Sequence, residues 1–213
     1  MSGSLSNFHV PRHTLLRAKL TRLRRKETDS ATFRRLLAEI GAILASEALR
    51  DLPETTGTIE TPVSRMEAPM LAGPEPCLVA ILRAGLGLLD GARMVLPDAP
   101  VGHLGMVRDE DTLIASEYVV RLPKDLAQRG ALVLDPMLAT GGSAIQAIHR
   151  VKQAGALYVR FACVVAAPEG VAAMQAAHPD VPVLAAALDE RLNERGYIVP
   201  GLGDAGDRCF GTE

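Results

Sequence analysis

Residues 131–148, ALVLDPMLATGGSAIQAI, decide how this chain folds. Ala131 to Leu134 form a short apolar run suited to a buried strand, and from Ser143 onward Ile145, Ile148 and Val151 recur at helical spacing. Between them one carboxylate, Asp135, precedes Pro136 and then Thr140-Gly141-Gly142-Ser143. The stretch reads as a strand, a turn and a helix N-terminus. Backbone N–H groups are unpaired at such a start, two glycines let the chain close around an anion, and the helix dipole favours negative charge there. A phosphate monoester fits. There is no GxxxxGK[ST], so this is not the loop of a nucleoside triphosphatase. Asp135, an acceptor itself, would serve a sugar hydroxyl or a metal beside that phosphate; on these residues alone it can equally be an ordinary turn residue.

Outward from this unit the chain alternates. Helices are expected at 12–26 and 30–50, the second capped by Asp29 or Ser30, then strands at 77–82, 100–107, 117–122, 131–135, 158–167 and 181–188, with helices at 86–95, 143–154 and 169–177. That order predicts an α/β fold with a mostly parallel twisted sheet covered by helices on both faces. The 213 residues contain no repeat or linker, and with 48% hydrophobic content they can form one domain spanning 1–213, with N-terminal helices 12–50, a core of about 70–188 and a separate tail. No apolar stretch reaches the roughly 18 residues of a membrane span, and the first residues lack an apolar signal core. The expectation is a cytoplasmic protein without a membrane partner. Cys77, Cys163 and Cys209 lie far apart with no CxxC, as buried free thiols would.

Charge is uneven. Residues 1–50 hold ten Lys/Arg against four Asp/Glu, and the remainder thirteen against twenty-one. The basic run RAKLTRLRRKETDS suits a nucleic-acid patch or a targeting helix in principle. Leu15, Leu16, Leu20 and Leu23 nevertheless form an apolar stripe, and no stacking aromatics are interleaved, so a solvated helix face is favoured. Gly85, Gly87 and Gly91 make a GxGxxxG after the strand at 77–82, a weak nicotinamide-type signal with no acid ending the next strand. Arg83 at the strand end suits a diphosphate better, because guanidinium forks match phosphate oxygens; it can also be a surface ion pair. None of the five histidines forms an HExxH pair, His103 and His149 read as structural, and Glu169 suits a helix first turn without a catalytic role.

The tail, NERGYIVPGLGDAGDRCFGTE (193–213), is rich in glycine and poor in reactive side chains, so it presents backbone. Backbone N–H and C=O groups can read the hydrogen-bonding edge of a small planar ligand and reject one whose donors and acceptors are exchanged. A disordered terminus is the alternative, opposed by Tyr197, Ile198, Val199 and Phe210, which are apolar enough to dock.

LVLDPMLATGGSA resembles the ribose-phosphate loop of type I phosphoribosyltransferases, and its Asp-Pro-Met variant, the Arg83-Ala84-Gly85 turn and the tail resemble the uracil branch of that family over nearly the whole chain. The resemblance implies the type I phosphoribosyltransferase fold with an extended arm after Arg108 and a C-terminal hood at about 189–213. It implies transfer of the 5-phosphoribosyl group of 5-phosphoribosyl 1-diphosphate (PRPP) to uracil, giving UMP and pyrophosphate. PRPP would contact Arg83, Ala84, Gly85, Arg108, the loop Asp135, Pro136, Met137, Leu138, Ala139, Thr140, Gly141, Gly142 and Ser143, and Asp204. Uracil would contact Ile198, Gly203, Asp204 and Ala205. Asp204 would also reach Mg²⁺ through PRPP and water, and the catalytic roles fall to Arg83, Arg108, Asp135 and Asp204. Val107 stands where the family commonly has Tyr, so a phenol contact there is missing. Partners are then small molecules, not nucleic acid, with a homodimer or larger homo-oligomer expected. Two other functions stay open: a PRPP-binding RNA regulator, and a nicotinamide-dependent oxidoreductase.

Overall fold

The structure is a computed structural model and describes residues 7–108 and 115–212. A short strand β1 (Phe8–His9) precedes helices α1 (Thr14–Arg24) and α2 (Ser30–Ala48), and an antiparallel hairpin pairs β2 (Glu54–Glu60) with β3 (Arg65–Leu71). Then follow β4 (Cys77–Leu82), α3 (Leu86–Val95), β5 (Val101–Arg108), β6 (Ala115–Arg121), β7 (Ala131–Leu134), β8 (Met137–Leu138), α4 (Gly142–Gln153), β9 (Val159–Ala166), α5 (Pro168–Ala177) and β10 (Val183–Leu188). The tail adds a small hairpin, β11 (Arg191–Leu192) with β12 (Ile198–Val199), and a final helix, α6 (Ala205–Phe210).

The main sheet runs β1-β10-β9-β7-β4-β5-β6, with β8 beside β9. Every pairing in it is parallel except β5 with β6. Its central strands are continuous apolar runs because both faces are covered. Leu78, Ala80, Leu132, Leu134, Ala162 and Val164 point into one core with α1, α2, α3 and α6. Cys77, Val79, Ala131, Val133, Phe161 and Cys163 point into the other with α4 and α5. In α2 alone Phe33, Leu36, Leu37, Ile40 and Leu44 are wholly buried, each worth about 2 kcal/mol relative to exposure. Asp29 starts that helix as expected, its carboxylate accepting the Thr32 N–H at 2.9 Å.

Strand order explains where a ligand can sit. From β4 the chain crosses through α3 on one face to β5, whereas from β7 it crosses through α4 on the opposite face to β9, moving the other way along the sheet. The direction of winding therefore reverses between the adjacent strands β4 and β7. A crevice opens beyond the carboxyl ends of two such strands.

Each expected strand and helix is present within two residues of its expected bounds. The hairpin β2–β3 was not legible: nearly all its residues are solvent-exposed, so no apolar alternation marks it. The glycine-rich tail, expected to present backbone, holds a hairpin and a helix, each too short for a periodic signal. The arm's residues 109–114 lie outside the described residues. Among the described residues no helix is long and apolar enough to cross a membrane, and all three cysteines are buried free thiols.

Candidate active site

Arg83 follows β4 and Asp135 follows β7, so the two motifs singled out in the sequence sit side by side where the winding reverses. A β-carbon on Gly85 would stand 2.5 Å from the Leu134 carbonyl oxygen, which shows how tightly the Arg83-Ala84-Gly85 turn is pressed on the end of β7. The Asp135 carboxylate accepts the Met137 N–H at 3.3 Å. Burial pushes this carboxyl up to about 7; the Met137 hydrogen bond opposes the rise and the nearby charge of Asp204 adds to it. Two acids thus face one space, an arrangement relieved by donors such as sugar hydroxyls or by a cation.

After Asp135 the loop is held by the sheet rather than hanging free. The Pro136 carbonyl accepts the Val164 and Val165 N–H groups, Met137–Leu138 pair with β9, and the Leu138 carbonyl accepts the Ala167 N–H. Gly141 then takes φ +88°, a left-handed conformation that glycine adopts at no steric cost, and α4 begins at Gly142. A helix start leaves its first N–H groups without intrahelical partners, so this turn, anchored on β9 before it, suits an anion.

The tail reaches the same crevice from the other side. Asp204 caps α6, its Oδ1 accepting the Asp207 N–H at 2.9 Å. A β-carbon on Gly206 would lie 3.2 Å from Asp204 Oδ1 and 3.7 Å from Arg83 Nη2, so the Asp204 carboxylate and the Arg83 guanidinium flank one glycine. Ile198 is buried and Ala205 is inaccessible, while Gly203, at φ +78°, is exposed. Of the tail residues expected to dock, Ile198 does so; Tyr197 is exposed, and Phe210 is exposed against Arg83, its ring 6.0 Å from the guanidinium. Arg108 ends β5, which runs parallel to β4 on the side away from β7 and so ends at the same edge of the sheet, but its side chain lies outside the described residues, as does that of Val107.

Several residues near the crevice were not singled out in the sequence. Asp207 pairs with Arg83 at 3.2 Å, and its spacing from Asp204, a capping acid followed three residues later by another, is the helix-start signal that locates it. Tyr118 lies with its ring over Gly105 and lines a cavity of about 440 Å³ with Leu82, Arg83 and Met106. Glu169, which the sequence did single out, stands in the first turn of α5 as expected, and it also accepts the Leu192 N–H at 3.0 Å and so ties the tail hairpin to α5. The basic first quarter is not simply a solvated face. Arg24 and Arg34 donate to the Gly201 and Cys209 carbonyls, and Arg208 donates to the Arg25 carbonyl with its guanidinium 4.5 Å from the Phe33 ring centre.

The GxGxxxG turn packs helices. A β-carbon on Gly91 would fall 1.7 Å from the Ala38 carbonyl oxygen, so Gly91 is where α3 lies against α2, leaving it no room to cradle a dinucleotide. Among the described residues no three His, Cys, Asp or Glu side chains cluster as a metal site. Asp204 with substrate oxygens and water nonetheless suits Mg²⁺, which is usually held by one or two carboxylates plus substrate phosphates.

Solved structures and characterised sequences agree with this architecture. An Aquifex aeolicus protein of known structure superposes with a TM-score of 0.92 at 37% identity over 97% of this chain and 99% of its own. The adenine phosphoribosyl transferase of Trypanosoma brucei, 15% identical, shares the fold with a TM-score of 0.59 over 94% of this chain and 90% of its own. Uracil phosphoribosyltransferases of Levilactobacillus brevis and Streptococcus pneumoniae are 53% and 54% identical to it, each over 98% of this chain and 100% of their own length. The family model described as uracil phosphoribosyltransferase matches residues 10–212. A sheet that reverses between an arginine turn and an aspartate–glycine loop, closed by a capped tail and matched at this length, makes the chain a member of the uracil phosphoribosyltransferase family.

Proposed function

We propose that this protein transfers the 5-phosphoribosyl group of PRPP to N1 of uracil, releasing pyrophosphate and UMP. The observation that carries this reading is convergence: the Arg83 turn, the Asp135–Ser143 loop and the Asp204 cap, remote in sequence, meet at the sheet's reversal point. In the transfer the bond from C1 of the ribose to the diphosphate breaks, a bond to uracil N1 forms, and the N1 proton leaves to solvent. The Thr140–Ser143 turn would hold the 5-phosphate, Asp135 would accept hydrogen bonds from the ribose hydroxyls, and Arg83 with Arg108 would receive the charge that develops on the departing diphosphate. Positioning and fixed charge supply the rate, and no side chain is assigned as a base. Bound Mg²⁺ would neutralise diphosphate oxygens, with Asp204 its protein contact through PRPP and water. Ile198 and Gly203–Ala205 would read uracil through main chain.

The same reading includes the cytoplasm, where buried unpaired thiols are the stable redox state. It also includes a homo-oligomer, supported by the hairpin β2–β3, whose Ile59, Met66, Met70 and Leu71 and whose turn residue Val63 are all exposed. The test is UMP formation by the purified protein with PRPP and Mg²⁺, offered uracil, cytosine, orotate, hypoxanthine and adenine in parallel. Turnover with uracil alone is the expected result. PRPP binding without turnover of any base would retain the phosphate loop and remove the tail from the base site. Light scattering at graded concentrations tests the oligomer.

A further inference from the structure

We infer that the ion pair between Arg24 and Asp189 positions the base-reading backbone, and so acts as a determinant of uracil selectivity from outside the pocket. The inference rests on the proposed reading of the tail as the base site. Arg24 ends α1 and Asp189 directly follows β10, 165 residues away. Arg24 Nη1 and Nη2 grip Asp189 Oδ2 and Oδ1 at 2.7 and 2.6 Å in a two-pronged fork. The Asp189 side chain is only 5% exposed.

What this pair holds is the peptide of Gly201. Arg24 Nη1 donates to the Gly201 carbonyl at 2.6 Å, and Asp189 Oδ2 accepts the Gly201 N–H at 2.9 Å. Both polar groups of one residue are thus closed by a single ion pair. A desolvated pair is tolerable only when its remaining donors and acceptors are met, and here the tail backbone meets them. The pair and the loop therefore fix one another. Gly201 stands at φ +63°, and a β-carbon on it would come within 2.1 Å of the Ile198 carbonyl oxygen, so the turn folds back on Ile198. Gly203 and the Asp204 cap follow two and three residues later.

A pocket that reads a base through main chain has no side chain to readjust. Its discrimination depends on where the peptide groups stand, and hydrogen bonds weaken steeply with misalignment. Loosening Gly201 would therefore blur uracil recognition before it touched PRPP, whose Asp135–Ser143 loop is held separately by β9. Arg24 and Asp189 are positioning residues in this account: they act through Gly201.

The experiment uses Arg24→Lys, which keeps the charge but cannot grip both Asp189 oxygens and the Gly201 carbonyl, together with Asp189→Asn. Gly203→Val serves as the base-site control. The KM for uracil is expected to rise about tenfold and discrimination against cytosine to fall by a similar factor, the scale of a small misplacement, while the KM for PRPP stays within about twofold. An unchanged uracil KM and cytosine ratio in folded Arg24→Lys, with the uracil KM of Gly203→Val raised more than about tenfold, would overturn the inference and leave the base site standing. Equal rises in both KM values would overturn it as general loosening. An unaltered uracil KM in Gly203→Val would fall on the tail reading itself, and the inference with it. Should neither clamp variant fold, amide exchange on the unaltered protein decides: a protected Gly201 N–H supports the clamp, and one exchanging as fast as an exposed amide overturns it.

Discussion

Arg83 Nη2 lies 3.2 Å from Asp207 Oδ1, which pairs the arginine that follows β4 with an acid in the first turn of the last helix. Thr212 Oγ1 donates to the same Asp207 oxygen, and the Phe210 ring stands beneath the guanidinium. The Arg83 side chain is 54% exposed. Pairs at such exposure contribute about 0–1 kcal/mol to stability, so the contact is easily surrendered to a diphosphate, which offers a fork more oxygens at higher charge.

Arg83→Ala should therefore separate function from folding. We expect kcat to fall by about two orders of magnitude, as for loss of one charge-stabilising group, with unfolding free energy changed by less than about 1 kcal/mol. Steady-state kinetics and a denaturant titration measure the two. A normal turnover number would remove Arg83 from the diphosphate site.

Asp135 carries the pH prediction. Its folded pKa, about 7, stands above the unfolded carboxylate value, so the folded state binds the extra proton between roughly pH 4 and 7 and stability declines as pH rises through that window. Asp135→Asn should abolish that decline and gain about 1–2 kcal/mol at pH 8, a figure reduced from the full shift because the residue is partly exposed. On the proposed reading the ionised form accepts hydrogen bonds from the ribose hydroxyls, so PRPP binding by the unaltered protein should weaken about tenfold from pH 8 to pH 6. The difference between the two proteins across that range isolates this carboxylate from the titration of PRPP. Identical pH profiles would dismiss it.

Gly203→Val tests the tail. At φ +78° any side chain is strained, by about 1–2 kcal/mol, and a branched one would intrude where uracil is proposed to lie. Uracil KM should rise more than about tenfold while PRPP affinity, measured by calorimetry, holds. Unaltered uracil binding would show that the base sits elsewhere.

Gly91→Ala tests the helix contact that displaced the dinucleotide reading. Its β-carbon would overlap the Ala38 carbonyl, so α3 must move off α2 at a cost of about 1–3 kcal/mol. A denaturation midpoint equal to that of the unaltered protein would contradict the packing described.

Much of this molecule is local. The strand runs around Leu78, Val133 and Cys163, the Asp29 cap and the Asp135-to-Ser143 loop are each specified by neighbours within a few residues, because hydrophobic period, capping chemistry and glycine turns act at that range. From them the sequence by itself determined the fold class and the place of the aspartate–glycine loop between a strand and a helix, and the resemblance of its motifs carried the family. Tertiary structure alone decided that β7 lies beside β4, so that Arg83 and Asp135 share a crevice. It also decided that Arg83 meets Asp207 across 124 residues and that Arg24 meets Asp189 across 165. The hairpin β2–β3 and helix α6 belong to the same class, one exposed on both faces and the other six residues long. The physical reason is common to all of them. Their partners are distant in sequence, and which arginine finds which carboxylate is settled by burial and geometry once the sheet has formed, not by any pattern the chain carries locally.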